Sequence, residues 1–135
     1  MGILEIVEED GIINLHAKII IYGDAATEAL SILMAKEVED CWNAPEATVL
    51  LKGKNYLLKF IIEGSYAPDL IPETIFENDN PLINYFRVEE FVQGNISFVD
   101  GLGSNTGYFK LENLLNNSTT VAHEFGHTLG LDHPV

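Results

Sequence analysis

The sequence predicts a single domain of the α/β or α+β class, with a mixed β-sheet covered by helices. Its 135 residues suit one hydrophobic core, and no linker, repeat or low-complexity tract divides them. The composition is 47% hydrophobic and 21% charged, which is typical of a globular chain and not of a disordered one. Strand-like segments alternate with two helix-like segments. We therefore treat residues 1–135 as one domain.

The first two elements are a strand and a long helix. Residues 12–22 are rich in β-branched side chains that alternate with polar ones, which predicts a strand. Gly23 ends it, and Asp24 is the expected N-cap of a helix over residues 25–42. Pro45 marks the end of that helix. Its predicted apolar stripe comprises Ala26, Leu30, Leu33 and Val38, with Cys41 or Trp42 at the end.

The middle of the chain predicts four short strands. Residues 47–51 and 55–63 flank a Lys-Gly-Lys sequence that indicates a tight reversal. Residues 64–83 contain three prolines and are expected to form a surface loop. Two further strand candidates follow at 84–92 and 95–99.

The last third of the chain combines a glycine-rich turn, a short strand and a helix. The turn follows Asp100, and residues 107–111 are the strand candidate. The final helix is expected to extend to about Leu129. Its predicted cap is one of three consecutive residues, Asn116, Asn117 or Ser118.

Charge excludes one class of partner and leaves the others open. Seven basic against 21 acidic side chains give a net charge of −14, which would repel a phosphate backbone, so we expect no nucleic acid partner. No apolar run approaches the roughly 20 residues that span a bilayer, and the N-terminal residues do not resemble a signal peptide. The single cysteine, Cys41, is expected to be a buried structural thiol. The sequence does not predict an oligomeric state or a compartment.

The residues that carry chemistry lie near the end of the chain. His123 and His127 are four apart, which directs both imidazoles from one helix face toward one point, as Zn²⁺ ligands require. Glu124 flanks that face, within reach of a metal-bound water. Gly130 permits the positive φ that turns the chain back and brings His133 in as a third ligand. Three ligands leave one position for water, as in catalytic zinc sites.

The segment HEFGHTLGLDH, residues 123–133, resembles the signature H-E-x-x-H-x-x-G-x-x-H of the metzincin clan of zinc endopeptidases. All five defining positions match. The segment looks like the matrixin version, whereas Pro134, directly after the third histidine, is the residue that serralysins usually have at that position. The family within the clan therefore stays open. The resemblance implies a zincin-like N-terminal subdomain, with a twisted five-stranded sheet, a long backing helix and a C-terminal active-site helix. It also implies a protein or peptide substrate and an exported or extracellular protein.

The resemblance further implies an edge strand that forms the rim of the cleft and pairs with an extended peptide. The candidate rim residues are Asn95, Ile96, Ser97, Phe98 and Val99, continued by residues 101–105. In the implied reaction, zinc acidifies its bound water and polarises the scissile carbonyl. Glu124 takes the proton of the water and passes it to the leaving amine.

Several features leave alternatives open. Metzincins have a methionine turn after the third histidine, but the only methionines here are Met1 and Met34, so we expect a catalytic domain truncated after His133. The alternative is a non-catalytic zinc-binding or partner-binding remnant of the fold. Asp100 and Asn105 form a possible Ca²⁺ site. His16 is expected to be an ordinary polar position, and Asp132 to support the ligands without binding zinc.

Overall fold

The computed structural model describes residues 1–90, 97–114 and 119–132. Within them a mixed β-sheet is combined with three α-helices, which confirms the predicted combination of a mixed sheet with helices. The strands are β1 (Ile3–Val7), β2 (Ile12–Tyr22), β3 (Thr48–Leu51), β4 (Lys54–Tyr66), β5 (Ile83–Glu89), β6 (Phe98–Val99) and β7 (Thr106–Lys110). The helices are α1 (Glu28–Asn43), α2 (Pro72–Phe76) and α3 (Thr120–Thr128).

The sheet has the strand order β3-β4-β2-β5-β7-β6, and β1 pairs with β2 beside this path. Strands β4, β2, β5 and β7 are parallel, whereas β1, β3 and β6 are antiparallel to their neighbours. The expected count of five strands is therefore wrong, because the described residues form seven. The long β2 accommodates two strands along one edge: β1 pairs with Ile12–His16, and β5 pairs from Lys18 onward.

The hairpin between β3 and β4 confirms the predicted reversal. Lys52 and Gly53 both adopt positive φ, as two-residue hairpin loops require. The long loop expected over residues 64–83 is wrong in part. Strand β4 continues to Tyr66 because β2 pairs with it over that length, and α2 forms with Pro72 in its first turn.

Helix α1 begins later than expected, and the predicted apolar stripe is confirmed except at Leu33. Thr27, not Asp24, is its N-cap, since the Thr27 hydroxyl accepts a hydrogen bond from the Leu30 amide at 3.1 Å. Leu33 is exposed and Met34 is buried in its place. The buried thiol expected at Cys41 is also wrong, because Cys41 is exposed and Trp42, four residues after Val38, packs against the core instead.

The hydrophobic core lies between the sheet, α1 and α3. Its fully buried members are Ile19, Ile21, Met34, Val38, Phe86, Val88, Phe109, Leu114, Val121 and Phe125. Helix α3 is shorter than expected, and the three predicted cap residues before it lie outside the described residues. No helix in the described ranges is both long and apolar enough to cross a membrane. Val121 and Phe125 are fully buried in this core. They fix α3 against it, together with the predicted site residues that α3 carries.

Gly64 sets the distance between α1 and β4. A Cβ atom at this position would lie 2.1 Å from the Ser31 carbonyl oxygen of α1. We expect Gly64→Ala to lower the free energy of unfolding by about 3 kcal/mol, because the helix must move off the strand. Urea denaturation would measure the loss. Gly101→Ala is the matched control, since its Cβ would meet nothing within 4 Å, and an equal loss in both variants would contradict this explanation.

Candidate functional site

The two histidines of α3 converge on one point. Their Nε2 atoms lie 3.2 Å apart, and the ring centroids are 4.8 Å apart with the planes at 89°. Two imidazole nitrogens bound to one tetrahedral Zn²⁺ at ~2.0–2.1 Å would be about 3.3 Å apart. The spacing of His123 and His127 thus fits two ligands of a single zinc ion.

A backbone carbonyl holds the ring of His127. Its Nδ1 atom lies 2.7 Å from the Leu131 carbonyl oxygen. Because a carbonyl only accepts hydrogen bonds, Nδ1 donates the proton and the neutral ring keeps its lone pair on Nε2, which faces His123. Metal-binding histidines are usually oriented in this way, by a hydrogen bond from the ring nitrogen that does not bind the metal.

The turn after α3 places Leu131. Gly130 has φ +89°, as the sequence predicts, and the Leu131 amide donates to the Gly126 carbonyl at 3.2 Å. A left-handed residue here ends the helix and folds the next carbonyl back toward His127. Gly130 therefore contributes to the site through the backbone.

Glu124 lies beside the histidine pair. Its carboxylate oxygen and the ligand atoms of His123 and His127 all lie within 4.8 Å of one another. The side chain is half-buried and lines the same cleft as His127. A carboxylate at this distance is within reach of a water between it and the histidines, either directly or through one intervening molecule.

The cleft brings together two groups of residues that the sequence predicts separately. Its volume is about 350 Å³. The lining residues are Ser97, Phe98, Val99, Gly101, Leu102, Glu124, His127 and Asp132. The predicted rim residues 97–99 thus border the same space as Glu124 and His127. The predicted residues Asn95, Ile96 and His133 lie outside the described residues, so the structure does not place the third histidine.

Strand β6 forms the rim and lies at the edge of the sheet within the described residues. It pairs with β7 in the register Phe98↔Tyr108 and Val99↔Gly107, and the next residue, Asp100, donates its amide to the Thr106 carbonyl at 3.0 Å. Backbone groups alternate in direction along an antiparallel strand. The N–H and C=O groups of Val99 therefore point away from β7, toward the open edge.

The loop after β6 is bound to the end of α3. The Gly103 amide donates to the His127 carbonyl at 2.7 Å. This hydrogen bond joins the rim to the helix that carries the histidines, and it could not be predicted because it spans two segments distant in sequence. It fixes the distance between the two sides of the cleft.

A row of stacked side chains supports β6 from the outer face of the sheet. Phe98 stacks on Tyr108, with ring centroids 5.6 Å apart at 16°, and the Arg87 guanidinium lies 5.4 Å from the Tyr108 ring. Arg87 also donates to the Tyr108 hydroxyl at 3.2 Å and to the Glu89 carboxylate at 2.7 Å. Sequence reasoning missed this row, since its members come from three strands.

The other polar residues singled out in the sequence have different surroundings. The Thr106 hydroxyl donates to the Asp100 carboxylate, and the Asn105 carbonyl accepts the Tyr85 amide at 2.8 Å. These contacts stabilise the turn that the sequence predicts as a possible Ca²⁺ site. His16 lies 3.1 Å from the Glu5 carboxylate, which fits an ordinary polar position.

The support of β6 by Arg87 is testable. We expect Arg87→Met to lower the free energy of unfolding by about 1 kcal/mol, because it removes a cation–π contact and a partly buried ion pair. Hydrogen exchange at the Asp100 amide, which donates to the Thr106 carbonyl of β7, should accelerate. Lys36→Met is the control, since its ion pair with Asp40 is exposed and should contribute less than ~0.5 kcal/mol. Unchanged exchange in Arg87→Met would show that the row does not hold the rim.

Comparison with known proteins gives no relative from which a role could be transferred. No protein-family model, no curated protein and no solved structure matches the chain. The function of the site therefore has to be inferred from its own side chains and their geometry.

Proposed function

We propose that this protein is a zinc-dependent endopeptidase of the metzincin type. His123 and His127 would hold the ion, His133 is the expected third ligand, and Glu124 is the general base. The observation that carries the proposal is the 3.2 Å approach of the two Nε2 atoms, with Glu124 beside them in a cleft. His123 is exposed, and a histidine pair with a purely structural role would not need an adjacent carboxylate facing a cleft.

The arrangement of the sheet supports a zincin-like subdomain. Four parallel strands, β4, β2, β5 and β7, end at the short antiparallel strand β6, which borders the cleft. This is the position expected for a rim strand.

The rim suits an extended peptide. The outward N–H and C=O groups of Val99 would pair with a substrate backbone, which adds a strand to the sheet. Main-chain pairing of this kind binds many sequences, whereas the side chains of Phe98 and Leu102 offer apolar contacts. The substrate backbone would then lie along the cleft that Glu124 and His127 line.

The residues divide the chemistry between them. A zinc ion held by these residues would supply a Lewis acid for the activation of water and the polarisation of a carbonyl. Glu124 accepts the proton of the attacking water and delivers it to the leaving amine. The Leu131 carbonyl keeps the Nε2 lone pair of His127 directed at His123, so no reorientation of that ring is needed.

A second candidate function is a non-catalytic zinc-binding or partner-binding protein. The short Nε2–Nε2 distance favours it in one respect, because His123 could donate a hydrogen bond to His127 without any metal. One zinc per chain with no cleavage dependent on Glu124 would support this candidate.

Glu124→Gln separates the two candidates. We expect this variant to retain zinc and to lose about 10²–10⁴ in the rate of cleavage of a denatured protein, because it removes the general base. Metal content would be measured alongside the rate. Glu63→Gln, an exposed position on β4, is the matched control and should cleave at the original rate. Equal cleavage by Glu124→Gln and the unaltered protein would refute the assigned role.

Val99→Pro tests the role of the rim. Proline lacks the N–H that points toward the open edge, and an edge strand tolerates it there because β7 does not use that group. We expect kcat/KM for a peptide substrate to fall about tenfold, through a loss of ~1.4 kcal/mol of backbone pairing. Val99→Ala keeps the N–H and should remain close to the original value. If both variants lose activity equally, the side chain and not the backbone of Val99 matters.

A further inference from the structure

The indole of Trp42 contacts the helix that carries the histidines. Its Nε1–H donates to the Ala122 carbonyl at 2.9 Å, across 80 residues of sequence. Ala122 directly precedes His123. The hydrogen bond therefore connects the end of α1 to the turn of α3 from which the first histidine projects.

The ring of Trp42 also sets the approach of α3 at the second histidine. A Cβ atom at Gly126 would lie 2.7 Å from Cζ2 and 3.2 Å from Cη2 of the indole. Gly126 directly precedes His127 and is buried. Only glycine lets the ring lie this close to the helix axis, so one side chain contacts α3 immediately before each histidine.

Trp42 is itself held in place. Its ring lies against Phe60, with centroids 5.6 Å apart at 39°. The next residue, Asn43, binds the backbone of Phe60 twice: its amide donates to the carbonyl at 2.9 Å and its oxygen accepts the amide at 2.8 Å. The indole is thus fixed to β4, the most extensive partner of β2 in the sheet.

Helix α3 needs such support. It has nine residues, and its N-cap, Thr119, makes no side-chain capping hydrogen bond among the residues that the structure describes. A helix of this length is not stable by itself, and its rotation about its axis depends on tertiary contacts. Since both histidines lie on α3, their Nε2 atoms stay 3.2 Å apart only while this stretch remains helical, and fraying or unwinding of α3 would separate them.

We infer that Trp42 is a positioning residue for the metal centre, which keeps His123 and His127 convergent through its hydrogen bond to Ala122 and its contact with Gly126. This inference rests on the proposed zinc site. Trp42 touches neither the ion nor a substrate, and its effect passes through the backbone of α3. The sequence alone indicates only an apolar residue at this position.

Titration with Co²⁺, followed by visible absorption, and competition with Zn²⁺ test this role. Trp42→Phe retains an aromatic ring but removes the donor, and we expect its metal affinity to fall about tenfold, as for other residues that orient ligands indirectly. The metal affinity of Gly126→Ala, in which the added Cβ forces the indole away, should fall similarly. The Co²⁺ spectrum should weaken in both variants, because convergence of the ligands is disturbed. Ile19→Val, a core substitution in β2, should leave affinity and spectrum unchanged.

The outcomes separate the two proposals. Metal binding by Trp42→Phe within twofold of the original chain, with the protein folded by circular dichroism, would overturn the role of Trp42 and leave the zinc site intact. Loss of affinity in Ile19→Val to the same degree would also overturn it, since the effect would then reflect stability alone. Failure of the unaltered chain to bind either metal would refute both proposals. Metal binding without cleavage dependent on Glu124 would refute only the endopeptidase.

Discussion

The site depends on the seating of one short helix. The imidazoles of His123 and His127 converge only while the turn between them stays helical, because a four-residue advance along a helix returns a side chain to the same face. Val121 and Phe125, both fully buried, hold the opposite face of α3 in the core. The contacts of Trp42 and the hydrogen bond from Gly103 add to this from two sides. The positions of the candidate ligands therefore depend on how the nine residues of α3 pack.

The cleft is built from elements that the sheet brings together. Strand β6 has only two residues, so its ladder with β7 contributes few hydrogen bonds. The stacked row of Phe98, Tyr108 and Arg87 and the link from Gly103 to α3 compensate for this. Within the described residues β6 lies at the edge of the sheet, and these contacts hold it in place.

Local patterns predicted those parts of the site that depend on local geometry. The spacing of the histidines predicts that both imidazoles lie on one helix face, because the helical period is a local property. The positive φ at Gly130 follows from its position after the helix. The residue at which the first long helix starts was less predictable. Asp24 and Thr27 are both competent N-caps, but Thr27 has an extended backbone, with φ −140° and ψ 162°, so no helix that starts at Asp24 runs through it. The Ala25 amide, bonded to the Val88 carbonyl at 3.1 Å, ties the turn before it to β5.

Contacts between distant segments could not be predicted in the same way. The pairing of β1 with β2, the exposure of Cys41 and the bond from Trp42 to Ala122 all depend on where α1 and the strands finally pack. The sequence marks Trp42 as apolar but gives no sign of its partner. Residues that carry chemistry were therefore identified more readily than those that position them.

X-ray absorption at the zinc edge, on protein loaded with one equivalent of zinc, would show whether the histidine pair holds the ion. We expect one tightly bound ion per chain with nitrogen ligands at ~2.0–2.1 Å and multiple-scattering features of imidazole, both lost in His127→Ala. An ion bound by oxygen alone, or one retained unchanged in His127→Ala, would contradict this expectation.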